Sequence, residues 1–391
     1  PFNCEFCDII ELFGRKPRVK NPEQLLTELS ELKRLGYSGS VDIVDDNFIG
    51  NLRQVKRELL PALIRWNQDN GYPFYYATEA SMNLADDRKL LAQLQEAEFR
   101  IVFMGIETPD ADLLMMTQKS QNTVRSIPDR VNTLYQYGIV VTAGFIMGFD
   151  GEKPGMDLRM ARVIEDTGIN MAMAGLLVAL PGTQLTRRLL KEGRLLSFRG
   201  EPITSEQDMF RSAEAVAAKV EVVDQTLAGL NFVTTRPRQE ILTEYRDLMR
   251  QIFATRAYFD RVLRTGKALQ MRSRYKPRAF AIKRQLRGLV SMAWQMTRRK
   301  DLRWLFWRNF LQALLRGVHT TEQVMRVMGI YLHFEKQTAY LDKVLSQQLL
   351  PSKAHQGQDV GEPPKVKLPK KTVGHASPRS HRRSVPKDFQ A

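Results

Sequence analysis

Between residue 20 and about residue 180, the sequence alternates between amphipathic helical segments and short apolar runs. In the first helical segment, NPEQLLTELSELKRLGY, Leu25, Leu29, Leu32 and Leu35 recur at helical spacing, and Gly36 marks a stop. The apolar runs predict five strands, at residues 40–46, 74–80, 100–108, 139–149 and 171–183. Helices that alternate with strands in this way are typical of parallel βαβ units, wound openly or closed into a barrel.

Each predicted strand ends in polar or glycine-containing residues. These residues are Asp45, Asp46 and Asn47, then Glu79, then Glu107 and Thr108, then residues 148–152, and finally Pro181 and Gly182. In a βα barrel the active site lies at the carboxyl ends of the strands, so we expect these residues to converge on one mouth. The carboxylates among them are candidates for chemistry.

After residue 185 the strand pattern weakens and helical patterns follow. The stretch QEILTEYRDLMRQIFATRAYFDRVLRTG predicts one long amphipathic helix or a pair of helices. From residue 351 the chain is rich in Pro and Lys and poor in apolar residues, which is typical of disorder. We therefore predict a core over residues 1–185, a helical C-terminal domain over 186–350 and a disordered basic tail over 351–391.

The formal net charge of +16 is unusual for a folded protein and suggests either a negatively charged partner or a structural role for the cations. Residues 267–308 hold thirteen Lys and Arg and a single acid, Asp301, together with Trp294, Trp304 and Trp307. Such residues suit a nucleic acid, an anionic lipid surface, or a solvated helical face packed on the barrel. We do not expect nucleic acid, since no RNA-binding motif accompanies them. The lipid alternative predicts peripheral membrane contact through residues 267–318.

Both cysteines, Cys4 and Cys7, stand at C-x-x-C spacing near the start of the chain. A zinc site would need a second pair of ligands, and the five histidines lie at no helpful spacing, mostly in the tail. A thioredoxin-like motif should follow a strand, and none is predicted before Cys4. Two cysteines make no disulfide framework, and neither a secretory signal nor an apolar run of about 18 residues occurs. We therefore predict a cytoplasmic protein.

The opening stretch PFNCEFC resembles the radical S-adenosylmethionine (radical SAM) loop, C-x-x-x-C-x-aromatic-C, with its first cysteine just before Pro1. The resemblance implies that Cys4 and Cys7 bind a [4Fe-4S] cluster and that Phe6 is the aromatic residue. In that family three thiolates hold the cluster, and its fourth iron binds the amino and carboxylate groups of SAM. This chain supplies two of the three cysteines.

Further segments resemble one branch of the family, the cobalamin-binding-domain radical SAM proteins, which include hopanoid methylases. DIVDDNFIGN, FMGIETPD, AGFIMGFDGE and ALPGT resemble its successive strand-end motifs, in order. GLNFVTTRPRQEILTEYRDLMRQIFATRAYFDRV is similar to its helical C-terminal module. The fold implied is α/β: a partial (β/α) barrel of radical SAM type lacking its first strand. A truncated N-terminus, with the cobalamin domain missing, is expected on the same ground; loss of a Met before Pro1 would also leave this terminus.

The resemblance also implies individual roles. Asp45 and Asp46 would contact the SAM amino group, and Glu107 would contact the ribose. The adenine would lie along the backbone of two segments, Gly144 to Gly148 and Ala179 to Gly182, the second of which includes Pro181. The segment with Asp45 and Asp46 departs from many relatives, which have a glycine pair and Glu. Simpler interpretations stay open at this point: Asp46 and Asn47 could cap the next helix, Glu107 could be a helix-entry carboxylate, and Gly144, Gly148 and Gly151 could be loop glycines.

The resemblance implies reductive cleavage of SAM and functionalisation of an unactivated carbon, specifically cobalamin-dependent methylation of a small-molecule or lipid-like substrate. An electron donor would be required. Two alternatives remain. A radical SAM tRNA-modifying enzyme predicts a basic β-barrel RNA domain after residue 185, and a non-catalytic remnant without a cluster predicts a true start at Pro1. A barrel that lacks a strand exposes two edges, so we also expect poor solubility.

Overall fold

A computed structural model describes residues 3–119, 125–197, 200–211 and 229–349. Five strands form one sheet in sequence order, and each pairs in parallel with the next. The strands are β1 Gly39–Ile43, β2 Phe74–Glu79, β3 Phe99–Glu107, β4 Val140–Met147 and β5 Met171–Leu176. Because each crossover advances by one strand, the sheet winds in the manner of a βα barrel and forms a half-barrel. The predicted partial barrel is confirmed.

Helices connect the strands and continue beyond them. The N-terminal helices are α1 Ile9–Phe13, α2 Pro22–Arg34, α3 Leu52–Gln54, α4 Leu60–Asp69, α5 Arg88–Glu96, α6 Ala111–Met116, α7 Ile127–Gln136, α8 Met156–Thr167 and α9 Gln184–Lys191. The later helices are α10 Arg238–Ile252, α11 Thr255–Ala268, α12 Ala279–Arg298, α13 Lys300–Leu314 and α14 Val318–Gln348. A π-helical turn at Val55–Leu59 joins α3 to α4.

Local sequence explains where these elements begin and what they bury. Helix α2 begins with a capping box, in which the Asn21 side chain accepts from the N–H of Gln24 and the Gln24 side chain accepts from the N–H of Asn21. Strand β4 is almost wholly buried, as expected for an inner parallel strand covered on both faces. The stretch predicted as one long helix or a pair is a pair, α10 and α11, separated at Phe253 and Ala254.

The C-terminal helices pack against the half-barrel. Helix α10 lies along α8, and the Tyr245 hydroxyl donates to the carbonyl of Ala174 in β5 at 3.1 Å. The fully buried Arg261 of α11 pairs with Glu165 of α8. The described residues on both sides of residue 185 therefore share one core. The boundaries at 185 and 350 stay predictions, and the tail over 351–391 lies outside the described residues.

Residues 270–278, here called the basal segment, run across the amino ends of four strands. Four contacts fix it. The Gln270 N–H donates to the Tyr135 carbonyl at 2.9 Å, and the Arg274 N–H donates to Glu98 Oε1 at 2.7 Å. Arg278 Nη1 donates to the Gly36 carbonyl at 2.8 Å, and the centre of the Tyr275 ring lies 5.2 Å from that of Tyr75. The basal segment thus covers the base of the sheet and leaves the carboxyl ends of the strands free for a site.

No helix in the described ranges combines the length and apolar character needed to cross a bilayer.

Candidate functional site

A cavity of about 520 Å³ lies where the carboxyl ends of β1, β2 and β3 meet the N-terminal segment. This volume is in the range of small-molecule sites. Six residues predicted for the site from the sequence line it: Cys4, Phe6, Cys7, Asp45, Asp46 and Glu107. Glu79 and Lys119 line it as well. The structure thus brings the cysteine loop and the carboxylates of three strand ends to one place.

The cysteine loop is fixed between α6 and α9. The Glu5 N–H donates to the carbonyl of Thr117 at 3.3 Å, and the Leu185 N–H donates to the carbonyl of Glu5 at 2.9 Å. The Glu5 carboxylate also pairs with Arg188 at 2.6 Å. These contacts hold the backbone between Cys4 and Cys7 from both sides and so anchor the loop to the half-barrel.

The two thiols are enclosed. Cys4 is buried and Cys7 half-buried, and the Cys7 N–H donates to the Cys4 carbonyl at 3.2 Å. Burial raises the pKa of Cys4, which the positive charge of Lys119 partly opposes. Burial likewise raises the pKa of Cys7, which the backbone N–H of Ile9 opposes. Metal binding would require both thiols to lose their protons.

The metal-ligating side chains at the cavity match part of the implied cluster site. Within the described part of the chain, no group of three His, Cys, Asp or Glu residues is arranged to hold a metal ion. Cys4 and Cys7 border the cavity and fit two of the three thiolate positions that a cluster with one open iron requires. In the register of the C-x-x-x-C-x-aromatic-C motif, the third thiolate would stand immediately before Pro1.

Glu107 and Lys119 form a buried ion pair in the cavity wall. Glu107 adopts a left-handed backbone conformation at φ 67°, which is uncommon for a residue with a side chain. Gly105 leaves room for the pair, because a Cβ there would overlap the Glu107 carboxylate and come within 2.7 Å of Lys119 Nζ. Lys119 Nζ also lies 5.9 Å from the centre of the Phe6 ring. Lys119 therefore stands between Glu107 and the cysteine loop.

The helix-entry interpretation of Glu107 is wrong. The side chain that caps α6 is Asp110, which accepts from the N–H of Asp112 at 3.0 Å. Sequence reasoning missed Lys119, which follows α6 and belongs to none of the strand-end motifs.

Asp45, Asp46 and Glu79 place three carboxylates around one side of the cavity. Burial raises the pKa of Asp45, with a further rise from the charge of Asp46, and burial and Asp46 likewise raise the pKa of Glu79. Mutual repulsion of this kind favours binding of a positively charged group among the three. Such a site suits an amino group.

The capping interpretation of Asp46 and Asn47 is also wrong. Asn51 caps α3 through its side chain, which accepts from the N–H of Gln54 at 3.3 Å. Asn47 Oδ1 instead accepts from the N–H of Ser81 at 3.2 Å and so ties the end of β1 to the segment after β2.

Comparison with known proteins agrees with this geometry. Residues 1–164 match the radical SAM superfamily, and residues 183–346 match a domain of unknown function, DUF4070. Residues 1–164 belong to the radical SAM superfamily.

Two curated relatives resemble most of the chain. The uncharacterized methyltransferase sll1242 of Synechocystis sp. is 38% identical over 361 residues, which cover 92% of this chain and 63% of that protein. The hopanoid C-2 methylase of Rhodopseudomonas palustris is 33% identical over 338 residues, which cover 85% of this chain and 58% of that protein. The chain therefore spans about three-fifths of the length of these relatives.

Among solved structures, the radical SAM methyltransferase TsrM from Kitasatospora setae was determined with cobalamin and a [4Fe-4S] cluster bound. It is 16% identical, with a TM-score of 0.42, and the match covers 49% of this chain and 37% of that chain.

Four residues predicted for the site do not line this cavity: Gly144, Gly148, Pro181 and Gly182. Gly144 lies in β4 behind Phe103, and a Cβ on it would come 3.1 Å from that ring. Gly148 and Gly151 adopt φ angles of 98° and 81°, which glycine accommodates without strain. The adenine contacts implied for these segments stay predictions.

Past the end of β5, backbone from the C-terminal region pairs with the residues that follow the strand. The Leu177 N–H donates to the Met147 carbonyl at 2.8 Å, and the Leu230 N–H donates to the Leu177 carbonyl at 2.7 Å. Asn231 bonds through its side-chain amide to both backbone groups of Ala179. Two segments recognised separately in the sequence, ALPGT and GLNF, are thus neighbours in space.

A buried carboxyl links the radical SAM domain to α10. Glu152 Oε2 accepts from the Gly148 N–H at 2.9 Å, and burial raises the pKa of Glu152 to about 7. Arg236 Nη1 lies 3.5 Å from Glu152 Oε1, while Arg236 bonds Glu244 at 2.7 Å. Arg236 therefore pairs more closely with Glu244 than with Glu152. Because Glu152 is buried, it retains its proton more readily than an exposed glutamate.

Proposed function

We propose that this chain provides the SAM-binding core and the helical module of a radical SAM methyltransferase. In this proposal Cys4 and Cys7 ligate a [4Fe-4S] cluster, SAM occupies the cavity, and cobalamin is bound by a domain outside residues 1–391. The observation that carries the proposal is the convergence of both thiols, Asp45, Asp46 and the Glu107–Lys119 pair on one cavity at the carboxyl ends of the strands.

The chemistry rests on bound cofactors, whereas the chain positions them. Cys4 and Cys7 would hold the cluster, which when bound would provide the reducing electron for SAM cleavage. The anchored loop holds the thiols in place. Asp45 and Asp46 would accept hydrogen bonds from the amino group of SAM, and their carboxylates favour its positive charge.

Glu107 would accept from the ribose hydroxyl groups, and the ion pair with Lys119 orients the Glu107 carboxylate.

A lipid-like substrate is part of this proposal. The relative from Rhodopseudomonas palustris is named a hopanoid C-2 methylase. On the cavity wall, Ile9, Ile10 and Phe13 form an apolar section that could contact hydrocarbon. We include cobalamin in the proposal because the strand-end motifs resemble those of the cobalamin-binding branch. A separate electron donor would also be required.

The tRNA-modifying alternative is less well supported. It predicts a basic β-barrel after residue 185, whereas residues 238–348 are almost entirely helical. The remnant hypothesis is separated from the methyltransferase proposal by experiment.

The first experiment is anaerobic cluster reconstitution of two proteins, the chain of 391 residues and a version with one cysteine added before Pro1. Bound iron and sulfide are measured, and 5′-deoxyadenosine release from SAM is assayed with a reductant. We expect the extended protein to bind a cluster and cleave SAM. Replacing Cys4 or Cys7 by Ser in the extended protein should abolish cluster binding.

A matched pair of variants tests the cavity. Glu107→Gln should weaken SAM binding by about 10-fold, the scale of one hydrogen bond to a charged group. Glu28→Gln, a change of the same type at an exposed site, should leave it unaltered. An extended protein that is folded yet binds no cluster would overturn the proposal and favour the remnant hypothesis.

A further inference from the structure

Helices α12 and α13 carry an outward row of apolar side chains, here called the tryptophan face. Its members are Ile282, Leu286, Val290 and Trp294 on α12, and Trp304, Trp307, Leu311 and Leu314 on α13. Trp294 and Trp304 are 63% and 66% exposed. The two rows meet where Trp307 Nε1 donates to Thr297 Oγ1, one turn beyond Trp294, at 3.1 Å.

This face is not the core side of the two helices. Met296, Leu302, Leu305 and Phe306 are buried and form the inner side of the pair. Single exposed apolar residues are ordinary, but eight exposed at helical spacing on two adjoining helices mark an interaction site.

Cations border the tryptophan face. Lys283, Arg284 and Arg287 are exposed on α12, and no carboxylate of the described residues lies within salt-bridge distance of them. Arg298 lies over the ring of Trp294 at 5.4 Å and Arg308 over that of Trp304 at 5.0 Å.

Acidic residues are nearly absent from α12 and α13. The single acid on these two helices is Asp301, which pairs with Arg299 at 2.5 Å. Arg308 pairs with Asp260 at 2.6 Å, whereas Lys283, Arg284 and Arg287 have no such partner among the described residues. The face therefore combines apolar bulk and indole rings with positive charge that is uncompensated on α12.

We propose that the tryptophan face docks on an anionic lipid bilayer. Indole rings favour the boundary between head groups and acyl chains, aliphatic residues enter the apolar layer, and bordering cations attract anionic head groups. A nucleic acid would use the cations and the indoles but offers nothing to the row of Ile, Leu and Val side chains. A second copy of the chain would bring like charges together. A bilayer satisfies all three kinds of residue at once.

The placement suits anchoring. Arg278, directly before α12, bonds to Gly36 at the amino end of β1, whereas the cavity lies at the carboxyl ends of the strands. The face thus starts at the end of the strands away from the cavity, and contact there does not require the cavity to be covered. The inference stands apart from the proposed methyltransfer, because it holds whatever the cavity binds.

The test is vesicle flotation of the full 391-residue chain, in which aggregated protein stays at the bottom of the gradient. Vesicles of phosphatidylcholine alone are compared with vesicles of equimolar phosphatidylcholine and phosphatidylglycerol. We expect flotation with the anionic vesicles, weakening as salt is raised, together with a blue shift of tryptophan fluorescence. The neutral vesicles should carry little protein.

Two sets of variants locate the contact. Replacing Lys283, Arg284 and Arg287 by Gln should reduce affinity for the anionic vesicles by roughly 100-fold, since each surface cation contributes about 1 kcal/mol. Replacing Trp294 and Trp304 by Ala should reduce flotation without loss of helical circular dichroism, because both side chains are exposed. The matched control replaces Arg53, Arg57 and Arg65 by Gln, which removes the same charge from the exposed surface of α3, the π-helical turn and α4.

Three results would overturn the proposal. One is failure of the folded chain to float with anionic vesicles. Another is equal loss of flotation in the control and in the α12 cation variant, which would show that net charge alone is responsible. The third is self-association or RNA binding that the Trp294→Ala, Trp304→Ala variant abolishes while no vesicle binding is seen; a second copy or a nucleic acid would then be the occupant.

Discussion

Asn231 uses both ends of its side-chain amide on one residue, Ala179. The Ala179 N–H donates to Asn231 Oδ1 at 2.8 Å, and Asn231 Nδ2 donates to the Ala179 carbonyl at 3.0 Å. Both residues are buried. Beyond the end of β5, the Asn231 side chain therefore makes the two backbone hydrogen bonds that a neighbouring strand would otherwise make. It ties the segment before Pro181 and Gly182 to the C-terminal region.

Replacing Asn231 by Asp should destabilise the protein by about 2–4 kcal/mol, because a carboxylate cannot donate to the Ala179 carbonyl and would be buried without a cation. Urea unfolding followed by circular dichroism measures the change. Gln68→Ala, on the exposed surface of α4, should stay within about 0.5 kcal/mol of the parent. Equal stability of the Asp variant and the parent would show that the two hydrogen bonds contribute nothing.

Breaking the Glu107–Lys119 pair from one side should cost more than removing both charges. Lys119→Met alone leaves a buried carboxylate without its cation and should cost about 3–5 kcal/mol. Adding Glu107→Gln to this variant should recover part of that loss, and a double-mutant cycle in urea gives the coupling energy. Additive effects of the two substitutions would contradict a direct interaction.

Glu152 should make stability fall as the pH rises from about 4.5 to about 7. In this window the folded protein keeps the Glu152 proton while the unfolded chain loses it, so the folded state binds more protons and its stability declines with pH. The effect is at most about 3 kcal/mol. Glu152→Gln should flatten this part of the profile, measured by urea unfolding at several pH values. The control Glu28→Gln should keep the parent slope, and an unchanged slope in Glu152→Gln would assign the decline to other groups.

Glu98 should control the attachment of the basal segment. Its carboxylate accepts from Ser273 Oγ at 2.6 Å and from the Arg274 N–H at 2.7 Å, both within the segment. Glu98→Ala should speed hydrogen exchange at residues 270–278, by about 10-fold or more if about 1.5 kcal/mol is lost. Exchange in α14 should not change. Uniformly faster exchange in both regions would instead indicate global destabilisation.

The sequence predicted the half-barrel because each strand is a short apolar run between amphipathic helices, a pattern set by local burial. It also predicted that Asp45, Asp46 and Glu107 would meet, since the carboxyl ends of parallel strands share one edge. The apolar run predicts a last strand that extends to residue 183, whereas β5 ends at Leu176. Beyond that point the backbone finds partners in residues 230 and 231, which lie far away in the sequence.

Other features depended on contacts that no local pattern encodes. Lys119 is one lysine in a polar stretch, and only the folded chain sets it against Glu107. The break between α10 and α11 has neither Gly nor Pro to announce it. The basal segment is irregular and polar, so its place beneath four strands could not be predicted from periodicity.

The basal segment also sets an order of events while the chain is synthesised. All five strands have been synthesised once Leu176 is added, yet the residues that cover their amino ends start only at Gln270. During the intervening synthesis the base of the sheet, including the buried Glu98, has no cover of its own. The base of the half-barrel in a nascent chain is therefore completed only after residues 270–278 have been synthesised, almost a hundred residues after the last strand.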